Sequence, residues 1–170
     1  MPMMKRLGAV VLLLTIAYGG CGDNAPRQHY EKAGGFSYDP PETWQVVEYP
    51  SLKYRISIGP RENEFVPNIN VVDEAFSGQL VDYVDGNLEN MKRVFVRLDI
   101  LKREDFQTED GQAAVRVITE MEHYGRRLRQ TFYFFGKGKR KYTSTCSALA
   151  EEGEALDGIF EKSMKTFRIH

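Results

Sequence analysis

Residues 113–149 of the chain read AAVRVITEMEHYGRRLRQTFYFFGKGKRKYTSTCSAL. Three runs of alternating apolar and polar residues, at 113–122, 127–135 and 141–149, are separated by two short segments that contain glycine. Alternation with a period of two is typical of β-strands, and connections this short join antiparallel neighbours. The stretch therefore predicts an antiparallel meander that decides the fold.

Helical periodicity appears on both sides of this meander. One predicted helix covers about 77–95, and the other covers about 152–164, with Phe167 packing beyond it. Apolar residues recur at spacings of three and four on each, at Leu80, Val84, Leu88, Met91 and Phe95 in the first and at Leu156, Ile159, Phe160 and Met164 in the second. Shorter strand candidates lie at 36–38, 44–49, 54–58, 68–72 and 98–106. We expect an α+β domain in which two amphipathic helices cover an antiparallel sheet of about six to eight strands.

The first twenty residues have the features of an export signal. Lys5 and Arg6 precede an apolar run at 7–17, which is too short for a bilayer span of about 20 residues but is typical of a signal peptide. Gly19-Gly20-Cys21 then resembles the lipobox of bacterial lipoproteins, in which a peptidase cuts before the cysteine and the sulfur carries a diacylglyceryl group. The residue three positions before the cysteine is usually aliphatic in a lipobox, and here it is Tyr18. Cleavage after Gly19 by the ordinary signal peptidase is therefore the alternative.

This pattern sets the expected organisation and location of the chain. Residues 1–20 are predicted as a lipoprotein signal peptide, 21–34 as a flexible tether and 35–170 as a single domain. We expect an exported protein that is held at the membrane through lipid on Cys21. Because Gly22 rather than an acidic residue follows the cysteine, the outer membrane is favoured in a Gram-negative host.

The net charge of the chain bears on whether it binds nucleic acid. The formal net charge is −1, and removal of residues 1–20 removes two cations and no acids, which leaves −3. Nucleic-acid-binding proteins usually show a basic balance or a basic tail. We therefore expect no nucleic acid among the partners.

The order of several motifs resembles the PsbP-like domain, shared by photosystem oxygen-evolving subunits, Ran-binding Mog-type proteins and many small bacterial lipoproteins. The resemblance spans 36–169 and is carried by Phe36, Pro41 with Trp44, 67–71 (PNINV), 80–83 (LVDY), Gly111 with Ala114, Tyr142 with Cys146, and the terminal helix before Phe167. It implies an α/β/α sandwich and a non-catalytic binding or assembly module. It brings no catalytic residues and no cofactor.

No motif in the chain points to catalysis or to a bound metal. His29, His123 and His170 lack metal-ligand spacing to one another or to a cysteine. Ser144 and Ser147 lie on a predicted strand with no neighbouring base. We expect no enzyme activity, no cofactor and no dedicated metal site. A hydrolase with unrecognised residues would need a Ser/His pair or clustered carboxylates with shifted pKa values.

Two groups of residues are candidates for binding and for structure. The possible binding surface consists of Arg127, Arg129, Tyr133, Lys137, Lys139 and Arg140, and the expected structural residues are Trp44, Asn68, Asn70 and Cys146. The basic hairpin at 136–141 suits either anionic lipid headgroups or a solvated tip whose lysines protect a sheet edge. Cys146 is expected to be a buried, unreactive thiol.

Two functional hypotheses follow. The first is a membrane-tethered accessory module that binds another envelope protein, and it predicts an exposed aromatic or mixed-charge groove. The second is a small-ligand or lipid-binding lipoprotein, and it predicts a closed apolar cavity above ~300 Å³ between the sheet and a helix.

Overall fold

The computed structural model describes residues 28–61, 65–95 and 97–170. Its elements, in chain order, are β1 (His29–Glu31), β2 (Phe36–Tyr38), β3 (Gln45–Val47), β4 (Ile56–Ile58), β5 (Asn68–Ala75), α1 (Leu80–Val94), β6 (Leu98–Gln107), β7 (Ala113–His123), β8 (Arg126–Lys137), β9 (Arg140–Leu149), α2 (Ala150–Lys165) and β10 (Arg168–Ile169).

Seven of these strands form one antiparallel sheet with the order β3-β4-β5-β9-β8-β7-β6. The predicted meander is its β6-β7-β8-β9 half, in which each strand pairs with the next along the chain. The expected α+β fold with two helices is therefore confirmed. A second, small sheet of order β1-β2-β10 brings the two ends of the domain together.

The two faces of the large sheet carry separate apolar cores. Phe132 and Phe134 point to the core under α1, whereas Tyr133 and Phe135 point to the core under α2. A strand that is apolar on both faces is expected where both faces are covered. This explains the unbroken TFYFF run at 131–135.

Helix α1 matches its predicted apolar face. Its start is fixed by a reciprocal capping interaction, in which the Gln79 side chain accepts from the third helical backbone N–H and Asp82 accepts from the Gln79 backbone N–H. Val84, Leu88 and Met91 are buried against the sheet. The helix therefore lies within the range that its periodicity predicts, and it begins three residues later than predicted, at Leu80.

Helix α2 differs from its prediction at one position. Phe160 and Met164 are buried as expected, but Ile159 is 42% exposed. Gly153 is buried instead, because the face that meets β8 and β9 is rotated toward residues 153, 160 and 164. The prediction of Ile159 as part of the apolar face is thus wrong.

The predicted boundary between tether and domain is also wrong. His29–Glu31 pair with β2, and His29 is only 3% exposed, so residues 29–34 belong to the domain. Local sequence could not show this, because the strand is stabilised by packing on Phe36 and Tyr38. The predicted signal peptide (1–20), Cys21 and the start of the tether lie outside the described residues. None of the helices in the described ranges is long and apolar enough to span a bilayer.

Candidate functional site

An open groove lies where helix α2 leaves part of the sheet uncovered. The helix packs on β8 and β9, so the two outer strands, β6 and β7, extend past it on that face. The groove has a volume of about 800 Å³ and is lined by Lys102, Glu104, Asp105, Phe106, Gln107, Ala113, Ala114, Arg116, Glu161 and Lys165. These residues come from two strands and one helix, and the groove is therefore built on regular elements.

An aromatic ring forms one end of the groove. Phe106 packs edge to face on Tyr133, with 4.8 Å between the ring centroids. The Lys165 ammonium lies 4.6 Å from the Phe106 ring centroid and donates to the backbone carbonyl of Gln107 at 2.9 Å. A cation over an aromatic face is held by the ring quadrupole, so Lys165 has its position defined from two sides.

Arg116 occupies the centre of the groove. Its guanidinium lies between two carboxylates, donating to Glu104 at 3.3 Å and to Glu161 at 3.0 Å. The residue is only 8% exposed, and its Nε has no hydrogen-bond partner within the described part of the chain. A buried charge must be paired, and the two glutamates supply that pairing for Arg116.

The charges of the groove balance. Three cationic residues face three carboxylates, and seven of the ten lining residues are charged or polar. A balanced surface of both signs beside an apolar ring suits a protein segment better than a lipid tail or a nucleic acid. The groove matches the mixed-charge groove of the first hypothesis and is unlike the closed apolar cavity of the second.

Strand β6 also leaves one edge of the sheet unpaired. Its register shifts at Leu101, between the pairs of Ile100 and Lys102 with β7, and charged residues at 102–105 follow. A bulge and a run of charges are the features that keep an edge strand from pairing with other chains. We therefore place the candidate site in the groove and not along the strand edge.

The predicted binding surface does not form one surface. Tyr133 is fully buried, and its inclusion was wrong because α2 covers that face of β8. Arg129 is bound under α2 by Asp157 at 2.6 Å and by Glu120 at 3.3 Å. Arg127 is exposed and pairs with Glu120 at 2.6 Å. These two arginines are at the start of β8, whereas Lys137, Lys139 and Arg140 are at its far end.

The Asp73 carboxylate binds cations at the end of the sheet where β8 turns into β9. Asp73 on β5 receives Lys53 and Tyr54 on one oxygen and Arg140 on the other, and its side chain is 3% exposed. Burial by itself would raise the pKa of Asp73, but the hydrogen bonds from Lys53, Tyr54 and Arg140 lower it below the usual value. The sequence showed the basic hairpin but not its link to Asp73, 67 residues earlier.

The four expected structural residues lie in the interior or at its border. Trp44 packs on Phe160 with 5.9 Å between ring centroids. Asn68 and Asn70 are buried in β5, and the Asn68 amide donates to the Val66 carbonyl. Cys146 is a buried free thiol, and burial raises its pKa.

The structure brings one serine and one histidine together, which the sequence did not indicate. The Ser37 hydroxyl and the His170 ring are joined by a hydrogen bond of 2.8 Å. Ser37 is fully buried, so a substrate has no access to its hydroxyl. The pair links β2 to the end of the chain, and it lacks the exposed nucleophile that acyl transfer requires.

The other two histidines make different contacts. His29 is held between Phe36 and Tyr38, and His123 contacts Phe95 and Tyr124. Among the described residues, no three His, Cys, Asp or Glu side chains are grouped as a metal site would need.

Comparison with known proteins identifies the fold. No family model matches the sequence, and no curated protein does. Among solved structures, cyanobacterial PsbP (CyanoP) from Synechocystis sp. PCC 6803 matches with a TM-score of 0.65 at 15% identity, over 89% of this chain and 98% of that one. The Ran-binding protein Mog1p of Saccharomyces cerevisiae matches with a TM-score of 0.59 at 8% identity, over 84% and 94%.

A third similar structure is LpqN of Mycobacterium tuberculosis, which is involved in cell envelope biogenesis. It has a TM-score of 0.57 at 12% identity, over 78% of this chain and 81% of that one. The predicted PsbP-like fold is thereby confirmed. Identities this low show a common fold and leave function to be argued from the site.

Proposed function

We propose that this chain is a membrane-tethered, non-catalytic binding module, and that it holds a segment of another cell-envelope protein in the groove beside α2. The observation that carries the proposal is the groove itself, with an aromatic ring at one end and paired charges of both signs along it. Tethering is supported by the signal-like segment and by the Gly19-Gly20-Cys21 motif. The envelope role of LpqN, a protein of the same fold, agrees with that location.

The geometry of the groove favours the binding of a partner over catalysis. Arg116 is neutralised by Glu104 and Glu161, and Lys165 is engaged by Phe106 and a backbone carbonyl. These two cations are therefore held in place before a partner arrives, which lowers the entropy lost on binding. A catalytic acid or base, in contrast, needs a free group with a pKa matched to its task.

The groove also defines what the partner segment would offer. An apolar side chain of the partner would pack against Phe106 and Ala114, and unlike charges would face Lys102 and Glu161. Truncating residues at the rim of such a site usually has a small effect, while the central, well-packed residues dominate affinity. Phe106 and Arg116, each only 8% exposed, are the well-packed residues of this groove.

Site-specific photo-crosslinking in cells tests the proposal. A photoreactive amino acid at 105 or 161 faces the groove, and the same residue at 159 provides a matched control, since Ile159 is exposed on the same helix but does not line the groove. We expect one envelope protein to be crosslinked from 105 and 161 and not from 159. We further expect Lys102→Glu to reduce that crosslink. Equal labelling from 159, or no product from the groove positions, would contradict the proposal.

Native mass spectrometry of the purified protein separates the small-ligand hypothesis from this one. A retained small molecule that Phe106→Ala releases would favour a ligand-binding protein. A ligand-free protein that still gives the groove-dependent crosslink would favour the binding module.

A further inference from the structure

A second surface, distinct from the groove, is formed at the end of the sheet where β8 turns into β9. Lys137 and Arg140 are opposite each other across this hairpin, and Lys139 is exposed in its turn. Lys53 reaches the same place from the loop before β4, because its Nζ and the Arg140 guanidinium bind the two oxygens of Asp73. Four cations from two separate segments therefore share one end of the domain. We call the surface formed by Lys53, Lys137, Lys139 and Arg140 the basic end.

The carboxylate on β5 at this end is turned inward, and the cations around it are turned outward. The Asp73 side chain is 3% exposed, whereas those of Lys53 and Arg140 are 59% and 43% exposed. Glu74, the next acid along β5, has one carboxylate oxygen buried. Glu109 and Asp110 are exposed in the neighbouring turn between β6 and β7. The four cations outnumber these two acids, so solvent at this end of the sheet meets more positive than negative charge, although the chain as a whole is acidic.

This arrangement suits a diffuse anionic surface and not a single bound anion. Lysines are hydrated point charges on flexible stems, and three of the four cations are lysines with no concave cradle around them in the described residues. Basic residues near an anionic leaflet attract its headgroups independently of one another. Asp73 keeps Lys53 and Arg140 side by side, so that these two cations belong to one surface.

We propose that the basic end rests on the anionic phosphate headgroups of the membrane that holds the lipid anchor. This inference rests on the tethering proposed above. Six residues separate Cys21 from the first described residue, Gln28, and the seven Cα-to-Cα steps between these two span at most about 24 Å when extended. A domain on so short a tether stays close enough for its basic end to touch the headgroups. None of the four cations lines the groove, which remains available to a protein partner.

Vesicle sedimentation tests the basic end apart from the anchor. A chain that begins at residue 21 and carries Cys21→Ala has no lipid, so any binding must come from the domain. We expect it to bind vesicles of phosphatidylcholine mixed with phosphatidylglycerol at low salt and to be released at high salt, because salt screens exposed charges. We expect negligible binding to phosphatidylcholine alone.

A pair of double variants locates the contact. Lys137→Gln with Lys139→Gln should weaken binding to the anionic vesicles by about 10- to 30-fold, from about 1 kcal/mol per basic residue. Lys92→Gln with Arg93→Gln removes the same charge from exposed positions on α1 and should change binding less than about threefold.

Equal loss in both double variants would show a nonspecific charge effect and overturn the proposal, as would equal binding to neutral vesicles or no binding at all. The intact mass of the membrane-derived protein reports on the anchor independently, so failure of the tethering and failure of the basic end are distinguishable.

Discussion

Gly153 of helix α2 lies directly on the side chain of Arg129 in strand β8. A Cβ atom added at Gly153 would come within 2.4 Å of the Arg129 Cδ and 2.6 Å of its Cβ. The helix can therefore approach the sheet at this point only because residue 153 has no side chain. The same approach allows Arg129 to bind Asp157 one turn later.

Gly153→Ala is expected to destabilise the protein even though alanine is the better helix former. The clash involves the Arg129 Cβ, which cannot move away without shifting β8, and overpacking of this kind costs about 1–3 kcal/mol. The measurement is the free energy of unfolding from chemical denaturation. Gly158→Ala in the same helix is the control, since no atom lies within 4 Å of its added Cβ, and it should stabilise by up to about 1 kcal/mol. Stabilisation by both substitutions would show that α2 does not pack this closely.

Asp73→Asn is expected to lower the free energy of unfolding by about 2–3 kcal/mol, because it removes the charge that three donors share. Lys53 and Arg140 would then be left beside a neutral amide. Glu89→Gln, which removes a carboxylate from an exposed pair with Arg93, should change stability by less than about 0.5 kcal/mol. Similar effects of the two substitutions would mean that Asp73 does not organise this end of the sheet.

His29 makes stability depend on pH in a defined window. Burial lowers its pKa from 6.5 to about 4, a shift partly opposed by the nearby Glu31 carboxylate. Between these two values the unfolded chain binds more protons than the folded one, so stability decreases as the pH falls from about 6.5 toward 4. The loss from this residue is at most about 3 kcal/mol.

Denaturation midpoints measured from pH 7.5 downward test this window. In a His29→Leu variant, which does not titrate and keeps an apolar contact with Phe36 and Tyr38, the decrease above pH 4 should be smaller. The pKa of the Asp73 carboxyl is lowered by its hydrogen bonds, and its contribution to the pH dependence is common to both proteins. An unchanged slope in the variant would remove His29 as the cause.

Cys146 is expected to resist thiol reagents in the folded protein. Its side chain is fully buried, and burial raises its pKa, so the reactive thiolate is scarce and inaccessible. In a Cys21→Ala background, labelling should be complete in denaturant and negligible in native buffer. Rapid native labelling would show that β9 opens locally.

The N-terminal prediction is tested by the intact mass of the mature protein isolated from membranes. A chain that begins at Cys21 with added acyl mass, absent from Cys21→Ala, is the expected result. An unmodified chain that begins at Gly20 would instead establish ordinary signal cleavage and a secreted domain.

Much of the architecture was predictable because the local spacing of apolar residues indicates each strand and helix. The meander, both helices and the burial of Phe160 and Met164 follow from spacings of two and of three to four. The predictions failed where packing decides which positions face the core. Ile159 fits the apolar stripe of α2 but is exposed, and Tyr133 reads as a surface residue of a two-sided strand but lies beneath the helix.

Local sequence alone predicts an acidic chain with an export-like start, an antiparallel meander and two amphipathic helices. These features depend on neighbouring residues, so they can be read along the chain. The positions of the surfaces follow from tertiary packing. Helix α2 leaves β6 and β7 uncovered. Arg116 donates a hydrogen bond to Glu161, 45 residues later in the sequence. Asp73 binds Lys53, which precedes it in the sequence, and Arg140, which follows it. Such contacts depend on how the elements pack, and no local pattern encodes that packing.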